Sequence, residues 1–349
     1  MTLAERLLAR ATLPEPGLEF NGARCLRRRF IRSTCDLCLG ECPTKALYPG
    51  EGEVRMESRR CTGCLACTGA CPTEALAGRD STLQRQAAKL LKHSGEVVLC
   101  CEKTLRSGKE LVLSCLGGVS LEHLAYLAAL GGRLEIMLHR CRECHSPGLP
   151  GIIEKRRDEI HKLWGRLESP PAIVLHLTPP QHQTTQRAPG GERKAGEKGD
   201  ERRDFFRAFK ALSLHTAAET WTIMRHDPNA KKEQWASSKH PPGKMVLLQN
   251  LLEEGKSAYL QAIYPLLPSL AINENCNYCK ACVGMCPSGA LESDPDHQQN
   301  RLLFSWFKCS GCGLCQEFCP PRAIKVKTGQ PSTISLNEKI EIFSPQPRV

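Results

Sequence analysis

Residues 276–287 read CNYCKACVGMCP, and the same spacing recurs as CTGCLACTGACP at 61–72 and CSGCGLCQEFCP at 309–320. Each run follows the pattern C-x2-C-x2-C-x3-C-P. Three thiolates so spaced on a tightly wound loop can hold three corners of a cubane, while the fourth, turned away before proline, reaches another cluster. Glycines such as Gly63, Gly311 and Gly313 let the loop backbone approach the cluster sulfurs. The runs therefore predict [4Fe–4S] clusters.

A fourth run, CDLCLGECP at 35–43, departs from this pattern because Arg32 stands where the first cysteine belongs. The cluster shared by Cys35, Cys38 and Cys71 is then one ligand short. Cys25, ten residues before Cys35, is the predicted substitute; a three-iron cluster or another ligand is the alternative. Five arginines crowd this site and predict a raised cluster potential or an acidic docking partner, with a solvated basic face as the alternative: Arg24, Arg27, Arg28, Arg29 and Arg32.

Both zones of cysteine runs resemble the bacterial dicluster (2[4Fe–4S]) ferredoxin domain, so the chain contains two copies of this unit. The resemblance implies the following ligand sets: Cys61, Cys64, Cys67 and Cys42; Cys276, Cys279, Cys282 and Cys319; Cys309, Cys312, Cys315 and Cys286; and Cys35, Cys38 and Cys71 with the substitute. Zinc is the alternative metal for C-x-x-C pairs. A tetrahedral zinc needs four thiolates, however, and would leave this triple spacing with a surplus.

The region between the two zones has the pattern of an α/β unit. Short apolar runs predict strands, and Ser120 is a predicted N-cap of a helix that Gly131-Gly132 ends. Strands that alternate with helices favour a parallel sheet. The predicted strands are Val97–Cys101, Leu111–Cys115, Leu134–His139 and Ala172–Leu177, and the predicted helices are Leu121–Leu130 and Ile152–Leu167.

Five cysteines lie at or just after the ends of these strands: Cys100, Cys101, Cys115, Cys141 and Cys144. Ligands bind at the carboxyl edge of parallel sheets, so these thiols are expected to converge. The stretch from Cys115 to Cys141-Arg-Glu-Cys144-His145 resembles the small iron–sulfur subunit of methyl-viologen-reducing [NiFe] hydrogenases, which implies a [2Fe–2S] cluster. The adjacent pair Cys100-Cys101 differs from the spaced pair of that subunit. Zinc, buried structural thiols and, by its C-x-x-C-H spelling, haem are the alternatives.

The predicted fold class is therefore α+β, with two ferredoxin-like domains that flank a small α/β domain. Residues 179–203 have almost no apolar side chains and predict a flexible linker, and 204–270 show an interrupted helical pattern. The predicted boundaries are 1–79 and 271–349 for the dicluster ferredoxin domains, 80–178 for the α/β domain, 179–203 for the linker and 204–270 for the helical segment.

Composition limits the classes of protein that fit. The 21 cysteines in 349 residues form dense runs rather than a disulfide framework, and with no export signal this favours a reducing, cytoplasmic setting. The net charge of +11 counts the thiols as neutral, and four clusters of net charge about −2 would offset about eight positive charges. We therefore expect no nucleic-acid partner. No apolar run reaches about 18 residues, so no membrane span is expected.

The sequence shows no dinucleotide-binding or phosphate-binding glycine motif and no nucleophile constellation, so we expect no small-molecule substrate. The leading hypothesis is an electron-transfer subunit of an anaerobic redox complex of hydrogenase, heterodisulfide reductase or molybdopterin type. In this hypothesis the chain carries four [4Fe–4S] clusters, the first of which is altered because Arg32 replaces a cysteine, and a [2Fe–2S] cluster in the middle domain. Its partners are redox subunits. An iron–sulfur redox sensor or maturation factor is the alternative.

Overall fold

The N-terminal cysteine runs lie within two antiparallel strand pairs. The computed structural model describes residues 18–78, 97–104, 110–165, 167–179, 239–253, 263–293, 301–328 and 340–343. β1 (Leu18–Phe20) pairs with β4 (Leu76–Gly78), and β2 (Leu47–Gly50) forms a hairpin with β3 (Glu53–Met56). Three short helices carry or follow the cysteines: α1 (Leu26–Arg29), α2 (Leu37–Gly40) and α3 (Ala66–Ala70); a 3₁₀ turn covers Ser58–Arg60.

A four-stranded parallel sheet follows, as the sequence predicts. Its strand order is β6-β5-β7-β8. The elements are β5 (Val97–Cys101), β6 (Leu111–Leu113), α4 (Leu121–Gly131), β7 (Arg133–Met137), α5 (Leu149–Trp164) and β8 (Ala172–His176), with 3₁₀ turns at Leu116–Gly118 and His139–Glu143.

The start and end of α4 follow from its flanking residues. The Ser120 hydroxyl accepts from the His123 N–H, while His123 Nδ1 accepts from the Ser120 N–H at 3.1 Å, so two end groups are satisfied reciprocally. Gly132 ends the helix with a left-handed φ of 68°.

The C-terminal cysteine runs repeat the N-terminal arrangement. After α6 (Gly243–Glu253) and a 3₁₀ turn at Tyr264–Leu266, β9 (Pro268–Ile272) pairs with β12 (Ile324–Thr328). β10 (Leu291–Ser293) and β11 (Leu302–Phe304) form the inner pair, to which β13 (Ile340–Phe343) adds. α7 (Ala281–Met285), the 3₁₀ turn Trp306–Lys308 and α8 (Leu314–Phe318) complete the unit.

The helical prediction for 204–270 is only partly met. Residues 204–238, like 180–203 of the predicted linker, lie outside the described residues. α6 fits the prediction, but residues 268–270 are strand, because β9 forms a full ladder with β12 and that pairing satisfies its backbone. The predicted domain boundaries stay predictions.

The described parts of the cysteine units and of the sheet belong to one compact unit. A hydrophobic core extends continuously from the sheet, through Leu99, Tyr126 and Trp164, to α6 and to Phe304 of the C-terminal unit. The Glu74 carboxylate accepts from the N–H groups of Gly243 and Lys244 at 2.7 and 3.0 Å and so caps the start of α6.

Candidate iron–sulfur centres

The three complete cysteine runs share a loop conformation that the shortened run lacks. In each complete loop the residue before the second cysteine and the residue after it have positive φ: Gly63 and Leu65, Tyr278 and Lys280, Gly311 and Gly313. This left-handed winding turns three consecutive thiols toward one point. In the shortened run α2 begins directly before Cys38, so that run does not form the wound loop.

All four runs nevertheless end in the same turn. After each C-P dipeptide, the third residue beyond the cysteine has a left-handed φ: Lys45, Glu74, Gly289 and Arg322. The next residue is alanine, and the Ala46, Ala75 and Ala323 N–H groups donate to the Sγ of Cys42, Cys71 and Cys319 at 3.2–3.3 Å. A backbone N–H aimed at a ligand sulfur stabilises the thiolate.

The structure brings the predicted ligands together as five groups. We name them site N1 (Cys25, Cys35, Cys38, Cys71), site N2 (Cys42, Cys61, Cys64, Cys67), site C1 (Cys276, Cys279, Cys282, Cys319), site C2 (Cys286, Cys309, Cys312, Cys315) and site M (Cys101, Cys115, Cys141, Cys144). Within the described part of the chain, no three His, Cys, Asp or Glu side chains are close enough to hold a single metal ion.

The four cysteines of site N1, Cys25 included, line a small apolar cavity of about 20 Å³. Cys25 comes from the segment before α1, not from the shortened loop. Burial, and after it the Cys71, Cys35 and Cys25 thiols, raise the pKa of Cys38 to about 12. Arg32 is exposed. The geometry therefore offers Cys25 as the fourth thiolate that the run lacks.

Site M lies at the carboxyl edge of the parallel sheet, as the strand pattern predicts. Burial, and to a smaller extent the nearby Cys101, Cys115 and Cys144 thiols, raise the pKa of Cys141 to about 12. The Lys103 ammonium donates to Cys144 Sγ at 3.4 Å. Cys100 is fully buried in β5, and because successive side chains of a strand point to opposite faces, it faces away from the side on which Cys101 lies. Four of the five predicted thiols thus converge.

Neighbouring sites are close enough to affect each other. Burial raises the pKa of Cys115 to about 11, and Cys64 of site N2 contributes to the rise. Cys38 of site N1 likewise raises the pKa of Cys67, which is mainly raised by burial. The two ferredoxin-like units meet where Cys35 of site N1 raises the pKa of Cys312, again after burial. The sites follow one another in the order M, N2, N1, C2, C1.

Site M contacts site N2 directly through the turn after β6. A Cβ on Gly117 would lie 2.1 Å from the Cys64 carbonyl oxygen, so only glycine allows this approach. The buried Arg156 of α5 holds the same contact: it donates to the carbonyls of Gly117, Val119 and Ala66 at 2.8, 2.7 and 3.0 Å. It also pairs with the Glu41 carboxylate at 3.3 Å.

The predicted arginine cluster is not one solvated face. Arg24 and Arg29 are buried, and Arg27 donates to the Cys35 carbonyl. Sequence reasoning missed Arg156, although it stands in line with Ile153, Ile160 and Trp164 on the apolar face of α5. The sequence offered one signal for it, a charged residue at a helix position whose neighbours on the same face are apolar. No signal in the sequence marks Gly117.

Comparisons with known proteins agree with the cysteine geometry. A family model for the 4Fe–4S dicluster domain matches residues 275–329, so the chain contains such a domain there, as predicted. The polyferredoxin protein MvhB of Methanothermobacter marburgensis is 38% identical over 61 residues, which are 16% of this chain and 15% of the relative. The pyruvate synthase subunits PorD of that organism and of Methanocaldococcus jannaschii are 35% identical over 54 and 52 residues.

These matches cover only part of each protein. The PorD matches take up 16% and 15% of this chain and 58% and 57% of the relatives. No solved structure matches the chain. The resemblance of the middle region to a hydrogenase subunit stays a prediction. No helix among the described residues combines the length and apolar character needed to cross a bilayer.

Proposed function

We propose that this chain relays single electrons as a non-catalytic, cytoplasmic subunit of an anaerobic redox complex of hydrogenase, heterodisulfide reductase or molybdopterin type. One observation carries the proposal: five groups of thiols, buried or half-buried apart from the exposed Cys279, lie next to one another in a single compact unit. An uninterrupted series of one-electron centres suits conduction between two protein partners, and its redox partners are the adjoining subunits.

Sites N1, N2, C1 and C2 each supply four thiolates, the number that a [4Fe–4S] cluster takes. We assign Cys25 as the fourth ligand of site N1. Site M supplies four thiolates as well, and we assign it a [2Fe–2S] cluster with Cys100 excluded. Bound clusters of this kind supply reversible one-electron exchange.

The chain's own groups adapt these sites to that chemistry. Burial excludes water, as at Cys67 (6% exposed). N–H groups such as those of Ala46 and Ala75 face the thiolates and favour the more negative, reduced state. Burial raises the pKa of most of these thiols, so they stay protonated without a metal, and cluster binding would release those protons.

The test is an anaerobic purification with counts of iron, acid-labile sulfide and zinc per chain. Four [4Fe–4S] clusters and one [2Fe–2S] cluster hold about 18 irons. The matched variants are Cys101→Ser, which is expected to lose about two irons, and Cys100→Ser, which is expected to lose none. A protein that binds mainly zinc, with little sulfide, contradicts the proposal. Equal losses in the two variants contradict the assignment of site M.

Capture of partners from an anaerobic lysate then tests the setting. A stable complex with a flavin, nickel or molybdenum subunit, reduced through the clusters, is the expected outcome. Clusters that exchange no electrons with such a subunit, but are transferred to an apoprotein, would favour the maturation factor instead.

A further inference from the structure

The two ferredoxin-like units, far apart in the sequence, meet at a junction that is built around one buried arginine. Arg29 of α1 is 7% exposed, and its guanidinium donates to carbonyls on both sides. Nη1 donates to the Ala23 carbonyl at 2.7 Å, two residues before Cys25 of site N1. Nε donates to the Met285 carbonyl at 3.0 Å, directly before Cys286 of site C2.

Further contacts hold the same junction. The Glu317 carboxylate of α8 accepts from the Ser33 hydroxyl at 2.8 Å and from the Thr34 N–H at 2.6 Å. The rings of Phe30 and Phe318 meet edge to face with centroids 5.1 Å apart. The segment that precedes Cys35 and the helix α8, which contains Cys315 and ends directly before Cys319, are thereby held together.

The buried positive charge of Arg29 affects the electrostatics of the cysteine sites that flank it. Burial lowers the pKa of Arg29, and the Cys286 and Cys312 thiolates oppose that shift, so the guanidinium is within electrostatic reach of site C2. Reduction of an iron–sulfur site adds one negative charge and changes nothing else, so a fixed cation nearby favours the reduced state.

We propose that Arg29 is the positioning residue of the junction: it holds the Cys25 segment against the Cys286 segment and raises the reduction potentials of sites N1 and C2 together. The inference rests on the proposed cluster binding. Matching the two sites on either side of the junction lets an electron pass between the two units without a large energy step.

The experiment is an EPR-monitored potentiometric titration of the full chain, with iron and sulfide counted on the same samples. In Arg29→Gln, two of the four-iron components are expected to become harder to reduce. Their reduced-to-oxidised ratio at a fixed potential falls about tenfold, which is about 59 mV for one electron. Arg29→Lys keeps the charge, so the reduced-to-oxidised ratio of the same two components is expected to change by less than about threefold. The control Arg32→Gln removes an exposed charge from the same segment, and salt and water screen its effect.

A second variant of opposite sign covers the case in which Arg29→Gln loses iron. Glu317→Gln removes a negative charge but keeps an acceptor for Ser33 and Thr34, so the same two components are expected to become about threefold easier to reduce. Components that stay at wild-type potential in Glu317→Gln, or shift in Arg29→Gln no more than in Arg32→Gln, overturn the inference. A wild-type chain without iron and sulfide would instead overturn the proposed function.

Discussion

Arg156 gives the sharpest test of how the α/β unit is held to the N-terminal ferredoxin-like unit. Its guanidinium is almost fully buried, donates to three backbone carbonyls and pairs with Glu41. In Arg156→Met these carbonyls lose their donor while the side-chain volume is kept. Each hydrogen bond to a charged group is worth about 1.5–3 kcal/mol, and removal of one partner of a buried pair costs about 3–5 kcal/mol. Lys155 still pairs with Glu41 at 3.1 Å, so the loss is smaller than the sum.

We therefore expect Arg156→Met to lower the free energy of unfolding by about 4 kcal/mol, which for a chain of this length corresponds to a fall of about 6 °C in the unfolding midpoint. Cluster loss makes unfolding irreversible, so the assay is the apparent midpoint at one fixed scan rate under anaerobic conditions. The control is Arg157→Met, because Arg157 is more exposed and forms an ion pair with its neighbour Asp158, an exposed contact worth less than about 1 kcal/mol. Midpoints of Arg156→Met and Arg157→Met within about 2 °C of each other would refute the reasoning.

Three further changes test other parts of the site. Cys25→Ser is expected to cost site N1 one to four irons, measured by iron count and by EPR for a three-iron signal, whereas an unchanged count would remove Cys25 from the ligand set. Gly117→Ala drives a Cβ into the Cys64 carbonyl, so it is expected to lower the unfolding midpoint by several degrees, and a wild-type midpoint would show that the turn yields. Burial lowers the pKa of His123 to about 4 in the folded chain. As the pH falls below about 6.5, this histidine therefore takes up a proton in the unfolded chain before it does so in the folded one. Stability that His123 contributes is then lost between pH 6.5 and 4, by up to about 3 kcal/mol, and the midpoint of His123→Gln is expected to fall less over that range than the wild type.

Much of the site could be predicted from the sequence because cluster ligation imposes a spacing. The spacing of the cysteine runs predicted which thiols lie near one another, and the strand and helix pattern of the middle region was right to within a few residues. Cys100 and Cys101 could not be separated, because only the register of β5 in the sheet decides which of two adjacent side chains faces the edge. A one-residue slip would exchange them.

The arginines show a second limit. A basic run next to a cysteine motif predicts a solvated face equally well, and two of the carbonyls that Arg29 binds, those of Gly284 and Met285, lie 255 and 256 residues further along the chain. Local sequence carries no trace of such a partner. The sequence of the shortened run also does not show that α2 stands where the complete runs have left-handed residues.

The exchange of the fourth cysteine between paired sites has a consequence for assembly. With the proposed ligands, site N2 joins residues 42 and 67 inside the span that site N1 closes between 25 and 71, and site C2 is nested in the same way inside site C1. Each cluster would thus cross-link the chain. The cross-link at the inner site shortens the loop that the cross-link at the outer site has still to close. Cross-links that close loops of 15 residues or more remove about 3 kcal/mol or more of chain entropy each. The clusters at the inner sites N2 and C2 are therefore expected to assemble first. In a cell short of iron, the chain would then carry only these inner clusters, and its outer segments would not be cross-linked.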